Sequence, residues 1–71
     1  MEVRTIFAKK FNEIMKYSHI SYAELARKLN ITKATMSMYK HGKALPSLET
    51  FSAICDLLDV SADFLLGKKD L

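Results

Sequence analysis

The chain has one cysteine, one proline and two glycines in 71 residues. A lone thiol, Cys55, closes no internal disulfide, which fits a protein kept in a reducing cytoplasm. With only Pro46, Gly42 and Gly67 as punctuation, there is little from which to build long loops. No β-branched alternating run occurs, so strands are disfavoured. No apolar run approaches the roughly 20 residues that a membrane span needs, and Met1-Glu2-Val3-Arg4 does not open like a signal peptide. Catalytic and metal sites lack their parts. His19, His41 and Cys55 do not fill a structural zinc site. No Ser/His/Asp or paired-carboxylate set stands out, and there is no Gly-rich phosphate loop. The expectation is a non-enzymatic, cytoplasmic chain with no cofactor, no metal and no small-molecule substrate.

What is present is apolar residues, at 49%. That suffices for one small core and argues against disorder. The net charge of +3 is unevenly spread. Residues 1–43 hold nine Lys and Arg against Glu2, Glu13 and Glu24, a balance of +6. Residues 44–71 hold two Lys against Glu49, Asp56, Asp59, Asp63 and Asp70, a balance of −3. One part therefore suits a polyanion and the other does not, although an uneven solvated surface gives the same count.

Helix signals recur. Ser21 precedes Tyr22-Ala23-Glu24 in a capping box, in which the serine oxygen accepts an N–H and the glutamate reaches back; Ile20 and Leu25 form the hydrophobic staple around it. Thr32 repeats this with Ile31 and Met36, and Ser61 with Val60 and Leu65. Ser47 gives a weaker copy with Pro46 and Phe51. These four signatures predict helices starting at about 22, 33, 48 and 62. An earlier helix over about 3–17 follows from Phe7, Phe11 and Ile14, with Val3 and Tyr17 beside them. The second helix, about 22–29, is expected to bury Leu25, Ala26 and Leu29. The third, about 33–41, turns Met36 and Tyr39 inward and stops before Gly42. The fourth, about 48–58, carries a stripe of Leu48, Phe51, Ile54, Cys55 and Leu58, with Cys55 as a small core residue. The fifth, about 62–66, carries Phe64 and Leu65 and ends at Gly67. The fold expected is all-α, a compact five-helix bundle, with one domain over residues 1–67 and a frayed tail over 68–71.

Only Asn30-Ile31-Thr32 separates the second helix from the third. So short a turn makes the two cross steeply, as in a helix-turn-helix, whose second helix can enter the major groove. The run from Ser21 to Ser37 resembles the helix-turn-helix of the lambda-repressor/Cro-like (XRE) regulators. Tyr39-Lys40-His41-Gly42-Lys43, Pro46-Ser47-Leu48-Glu49-Thr50 and Asp59-Val60-Ser61-Ala62-Asp63-Phe64-Leu65-Leu66-Gly67 match that family's following segments. The resemblance covers nearly the whole chain and implies a five-helix bundle, binding to double-stranded operator DNA as a homodimer, and regulation of transcription, with repression the expected sense.

At 100° per residue, Lys33, Ala34, Ser37, Met38 and His41 point away from the buried side of the third helix. A cation, small residues and a methionine suit a surface laid against base edges. Lys33 can donate to guanine O6 or N7, Thr35 and Ser37 can bond either way, and Ala34 and Met38 can touch a thymine methyl. Thr32, at the start of the helix, joins them as a base-contact candidate. Phosphate contacts are expected from Ser21 and Tyr22 at a helix start, and from Lys40, His41 and Lys43 around Gly42. Where the resemblance leads one to expect Gln, this chain has Tyr22, whose hydroxyl is a further donor.

Three other departures stand out. The family often joins its first and third helices by a buried Arg–Glu pair. Here those positions are Met15 and Lys40, so an apolar or snorkelling contact is expected instead. A basic minor-groove reader after Lys43 is replaced by Ala44-Leu45. His19 occupies a turn position where the family tends to have Gly, so a positive φ is expected there. Phe64 and Leu66 are the dimer-interface candidates, with a plain core role open for one of the two. The competing class of function is a helical protein-interaction module, antitoxin-like or coactivator-like, which would need a large exposed apolar patch.

Overall fold

A computed structural model describes residues 2–70; Leu71, the last residue of the expected tail, lies outside them. Within them the chain forms five helices and no strand: α1 (Val3–Met15), α2 (Tyr22–Leu29), α3 (Lys33–Lys40), α4 (Leu48–Leu58) and α5 (Ala62–Leu65). Each of the four starts predicted from caps falls where expected. Ser21, Thr32, Ser47 and Ser61 have extended backbones, and their hydroxyls accept from the amides of Glu24, Thr35, Thr50 and Phe64. Each satisfies an amide that the first helical turn leaves open. Ser47 caps its helix as the others do, accepting from the Thr50 amide at 3.2 Å and donating to Thr50 Oγ1 at 3.1 Å. The reciprocal half of the capping box is different from that expected. The Glu24 carboxylate turns to Arg27 at 3.9 Å.

The helix ends follow a second rule. After α2, α3, α4 and α5 the chain passes through the left-handed region at Asn30 (φ 57°), Gly42 (φ 69°), Asp59 (φ 52°) and Gly67 (φ 73°). In each case the next amide bonds back across the turn: Ile31 to Ala26, Lys43 to Met38, Val60 to Cys55 and Lys68 to Asp63. This is the Schellman arrangement, which satisfies terminal carbonyls and reverses the chain at once. The bond from Lys68, at 2.7 Å, keeps the start of the tail tied to α5.

Helix α1 closes differently. It ends at Met15 rather than 17, with Tyr17 and Ser18 amides bonding to Ile14 and Met15 carbonyls three residues back. These tight right-handed turns need no positive φ. His19 therefore does not adopt one, against expectation; Ser18 Oγ accepts from the Ile20 amide and completes the turn. Tyr17, beyond the end of the helix, is 76% exposed.

Helix α1 packs against α3 and α5, α2 against α3 and α4, and α4 against α5. Their shared core holds Phe7, Phe11, Leu25, Ile54 and Leu65, all fully buried, with Met15, Ala26, Met36, Tyr39 and Phe64. Phe7 and Phe11 stack at 5.2 Å, and Tyr39 meets Phe7 edge-on at 6.4 Å. Such pairs add to the stabilisation from burial alone. Leu29, Phe51, Cys55 and Leu58 pack half-buried on the edge of this core. Leu48 departs from the predicted stripe of α4. As the first residue of that helix it projects past the rim of the core and is 86% exposed. For Phe64 the structure selects the core role. Phe64 is 2% exposed, with the Lys10 ammonium 5.2 Å from its ring centroid, so it belongs to the core and is not free to form a dimer interface.

Candidate nucleic-acid interface

The turn from Leu29 to Lys33 sets the geometry of the site. Asn30 takes the left-handed conformation, the Ile31 amide returns to Ala26 O at 3.0 Å, and Thr32 begins α3. Asn tolerates this conformation better than most residues that carry a side chain. The reversal takes three residues and holds α3 across α2. Helix α3 buries Met36 and Tyr39, as predicted, and leaves Thr32, Lys33, Ala34, Ser37, Met38 and His41 exposed; Thr35 is half-buried.

The hydrogen bonds refine what these side chains offer. Thr32 Oγ1 accepts from the Thr35 amide and donates to Thr35 Oγ1, both at 3.0 Å. Its hydroxyl is thus spent on capping, while Thr35 keeps its own hydroxyl proton. His41 Nδ1 lies 2.8 Å from the Ser37 carbonyl and 3.3 Å from Ser37 Oγ. A carbonyl only accepts, so Nδ1 carries a proton, and Nε2 is the nitrogen left for a ligand. Met38 is 43% exposed on the same face.

A cleft of about 170 Å³ lies between the start of α2 and α3, lined by Tyr22, Ala23, Ala26 and Met36 with Lys33, Ser37 and Lys40. Above it, the first bond of α2 runs from the Leu25 amide to Ser21 O, so the amides of Tyr22 and Ala23 come before the helical ladder begins. Free amides and the helix dipole suit an anion. Lys33 and Lys40 line the cleft at α3, and Lys43 is exposed beyond Gly42.

Tyr22 differs from expectation. Its hydroxyl donates inward to Asn12 Oδ1 at 2.6 Å, which leaves no phenolic proton for a phosphate. Burial raises its pKa above the ordinary tyrosine value. Its ring meets Phe11 edge-on at 5.8 Å and carries the Lys40 ammonium at 4.2 Å from its centroid. The replacement for a buried charge pair is thus a buried Met15 and a lysine held over an aromatic face. Asn12 was not singled out by the sequence pattern. Its one signal is an asparagine in the interior of a helix, where its propensity is poor.

Among the remaining expected residues, Leu66 is half-buried and lines an apolar groove of about 150 Å³ with Val3, Leu45, Pro46, Leu48 and Phe51. Among the described residues no His/Cys/Asp/Glu group could hold a metal ion, and no helix is long and apolar enough to cross a membrane. The Cys55 thiol is pushed up in pKa by burial and by the neighbouring Asp56 charge.

Comparison with known proteins agrees with this geometry. The chain is 35% identical over 60 residues to the HTH-type transcriptional regulator AnsR of Bacillus subtilis, covering 84% of this chain and 52% of that protein. It is 32% identical over 63 residues to the HTH-type transcriptional regulator ImmR of the same organism, covering 89% and 50%. The chain thus spans about half the length of the curated relatives it matches. The solution structure of the SOS-response transcriptional repressor LexA from Eubacterium rectale superposes with a TM-score of 0.86, covering 97% of this chain and 73% of that one, at 22% identity, a likeness of fold. Residues 10–66 match the Cro/C1-type HTH DNA-binding domain, and the chain belongs to that family.

Proposed function

We propose that this chain is a sequence-specific transcriptional regulator, a repressor, which binds double-stranded DNA as a homodimer on two half-sites in the cytoplasm. The observation that carries the reading is the exposed face of α3. Lys33, Ala34, Ser37 and Met38 stand clear of the core, with Lys40 and Lys43 beyond them. Helix α3 lies in the major groove. Lys33 donates to a guanine, Thr35 and Ser37 bond to base edges, and Ala34 and Met38 meet thymine methyl groups. Thr32 reaches the first base step through its methyl group, since its hydroxyl caps the helix. The helix start at Ser21, through the amides of Tyr22 and Ala23, holds phosphates together with Lys40, His41 and Lys43. His41 donates through Nε2 only as the imidazolium.

Phe64 is core, so the dimer uses Leu66 and the exposed residues of its groove: Val3, Leu45 and Leu48, which are 45%, 43% and 86% exposed. These few side chains fall well short of the ~800 Å² per partner of a stable interface. Dimerisation therefore completes on DNA, where the second half-site raises the effective concentration. With extents of 28 × 23 × 22 Å, two copies centred ~34 Å apart, one DNA turn, occupy adjacent half-sites without overlap.

The test is selection of bound duplexes from a random pool with the wild type, Lys33→Ala and Lys43→Ala. Lys33→Ala should lose preference at one guanine-bearing position, at a cost of about 1–3 kcal/mol. Lys43→Ala should weaken all sequences alike and flatten the salt dependence. Failure of the folded wild type to bind any duplex at low ionic strength would overturn the proposal.

A further inference from the structure

The C-terminal end of α3 is accounted for group by group. A helix leaves its last four carbonyls without helical partners. Here Ser37 O accepts from the His41 amide at 3.1 Å, Met38 O from Lys43 at 2.9 Å and Tyr39 O from Gly42 at 3.4 Å. The fourth, Lys40 O, is met from another helix: Asn12 Nδ2 donates to it at 2.9 Å across 28 residues of sequence. The other end of the same amide, Asn12 Oδ1, accepts the Tyr22 hydroxyl at 2.6 Å. The Tyr22 ring in turn carries the Lys40 ammonium at 4.2 Å. One asparagine on α1 thus joins the first residue of α2 to the last residue of α3, and both halves of its amide are used.

We propose that Asn12 is a positioning residue for DNA recognition, fixing the angle of α3 against α2 by holding the Lys40 carbonyl and the Tyr22 hydroxyl together. The inference rests on the DNA-binding reading above. Helix α3 has eight residues and buries only Met36 and Tyr39, so apolar packing alone constrains its tilt weakly. A tilt of about 10° moves the far end of such a helix, about 12 Å long, by about 2 Å. Hydrogen bonds to base edges tolerate only a few tenths of an ångström. Asn12 and Tyr22 are both half-buried, where hydrogen bonds hold geometry more firmly than in open water. Asn12 acts through Tyr22 and Lys40 and makes no base contact itself.

The experiment uses the duplex selected by the wild type and a scrambled duplex of equal length and composition. Affinity for each is measured across a salt series, at a temperature where every variant is folded by circular dichroism. Asn12→Ala should lower the ratio of selected to scrambled affinity about tenfold. Its scrambled-duplex affinity and salt slope should not change, because every lysine remains. Tyr22→Phe, which keeps the ring, should lower the ratio by a smaller factor and keeps the test open if Asn12→Ala does not fold. The double variant should fall no further than Asn12→Ala, since the two side chains act in one network. An unchanged ratio in the folded variants, an equal loss on both duplexes, or additive losses in the double variant would each overturn the role of Asn12. If the wild type itself binds no duplex, the functional reading fails and takes this inference with it. A wild type that discriminates beside variants that discriminate equally well refutes the inference alone.

Discussion

Two glycines have almost the same backbone, yet substitution should separate them. Gly42 and Gly67 have φ of 69° and 73°. Alanine at either costs about 1–2 kcal/mol for the left-handed conformation, offset by about 0.4–1 kcal/mol from a stiffer unfolded chain. The surroundings differ. A Cβ on Gly42 would meet Arg4 O at 3.4 Å and Ala8 Cβ at 3.7 Å, ordinary contacts. A Cβ on Gly67 would lie 2.6 Å from Ile6 Cγ2, a methyl fixed to a branched carbon that cannot swing aside. Gly42→Ala should therefore cost about 1 kcal/mol, a drop in Tm of about 4–8 °C for a domain of this size. Gly67→Ala should cost a further 1–3 kcal/mol for the overlap. Ile6→Leu removes the offending branch. The double variant Ile6→Leu/Gly67→Ala should recover at least 1 kcal/mol against the sum of the single changes. Urea unfolding of the four proteins gives the cycle. Equal losses at the two glycines, or additivity in the cycle, would refute the reasoning.

Two further outcomes are expected. Leu48→Ser should change stability by no more than about 0.5 kcal/mol, since the side chain is 86% exposed; it should weaken binding to a two-half-site duplex in mobility-shift assays and leave a single half-site unaffected, and equal effects on both would remove Leu48 from the dimer surface. The hydroxyls of Tyr22 and Tyr39 are raised in pKa by burial, so the folded state holds these protons more tightly than the unfolded chain; their contribution is complete below the ordinary value near 10 and is lost as pH climbs through the higher folded values. Urea midpoints measured from pH 9 upward should fall, less steeply in Tyr22→Phe, and an identical slope in that variant would show that Tyr22 does not contribute.

Local chemistry made most of the architecture readable. A capping hydroxyl bonds an amide three residues on, and a staple joins neighbours within one turn. Such signals need no knowledge of the rest of the chain, and Ser21, Thr32, Ser47 and Ser61 each begin a helix where expected. The face of α3 was legible for a similar reason, because helical periodicity places Lys33, Ala34, Ser37 and Met38 opposite Met36 and Tyr39. Periodicity says which side of a helix is apolar, but not whether anything covers it. That is why Leu48, on the predicted stripe, is bare, and why Phe64, offered as an interface residue, is enclosed.

Interactions between residues a few positions apart thus set the five helices, their starts, the three-residue turn and the outward row of α3. It took the packed fold to turn the Tyr22 hydroxyl inward, to rest Lys40 on its ring, and to close the end of α3 with Asn12 from 28 residues away. Those bonds depend on how three helices converge in space, and no spacing along the chain encodes that convergence.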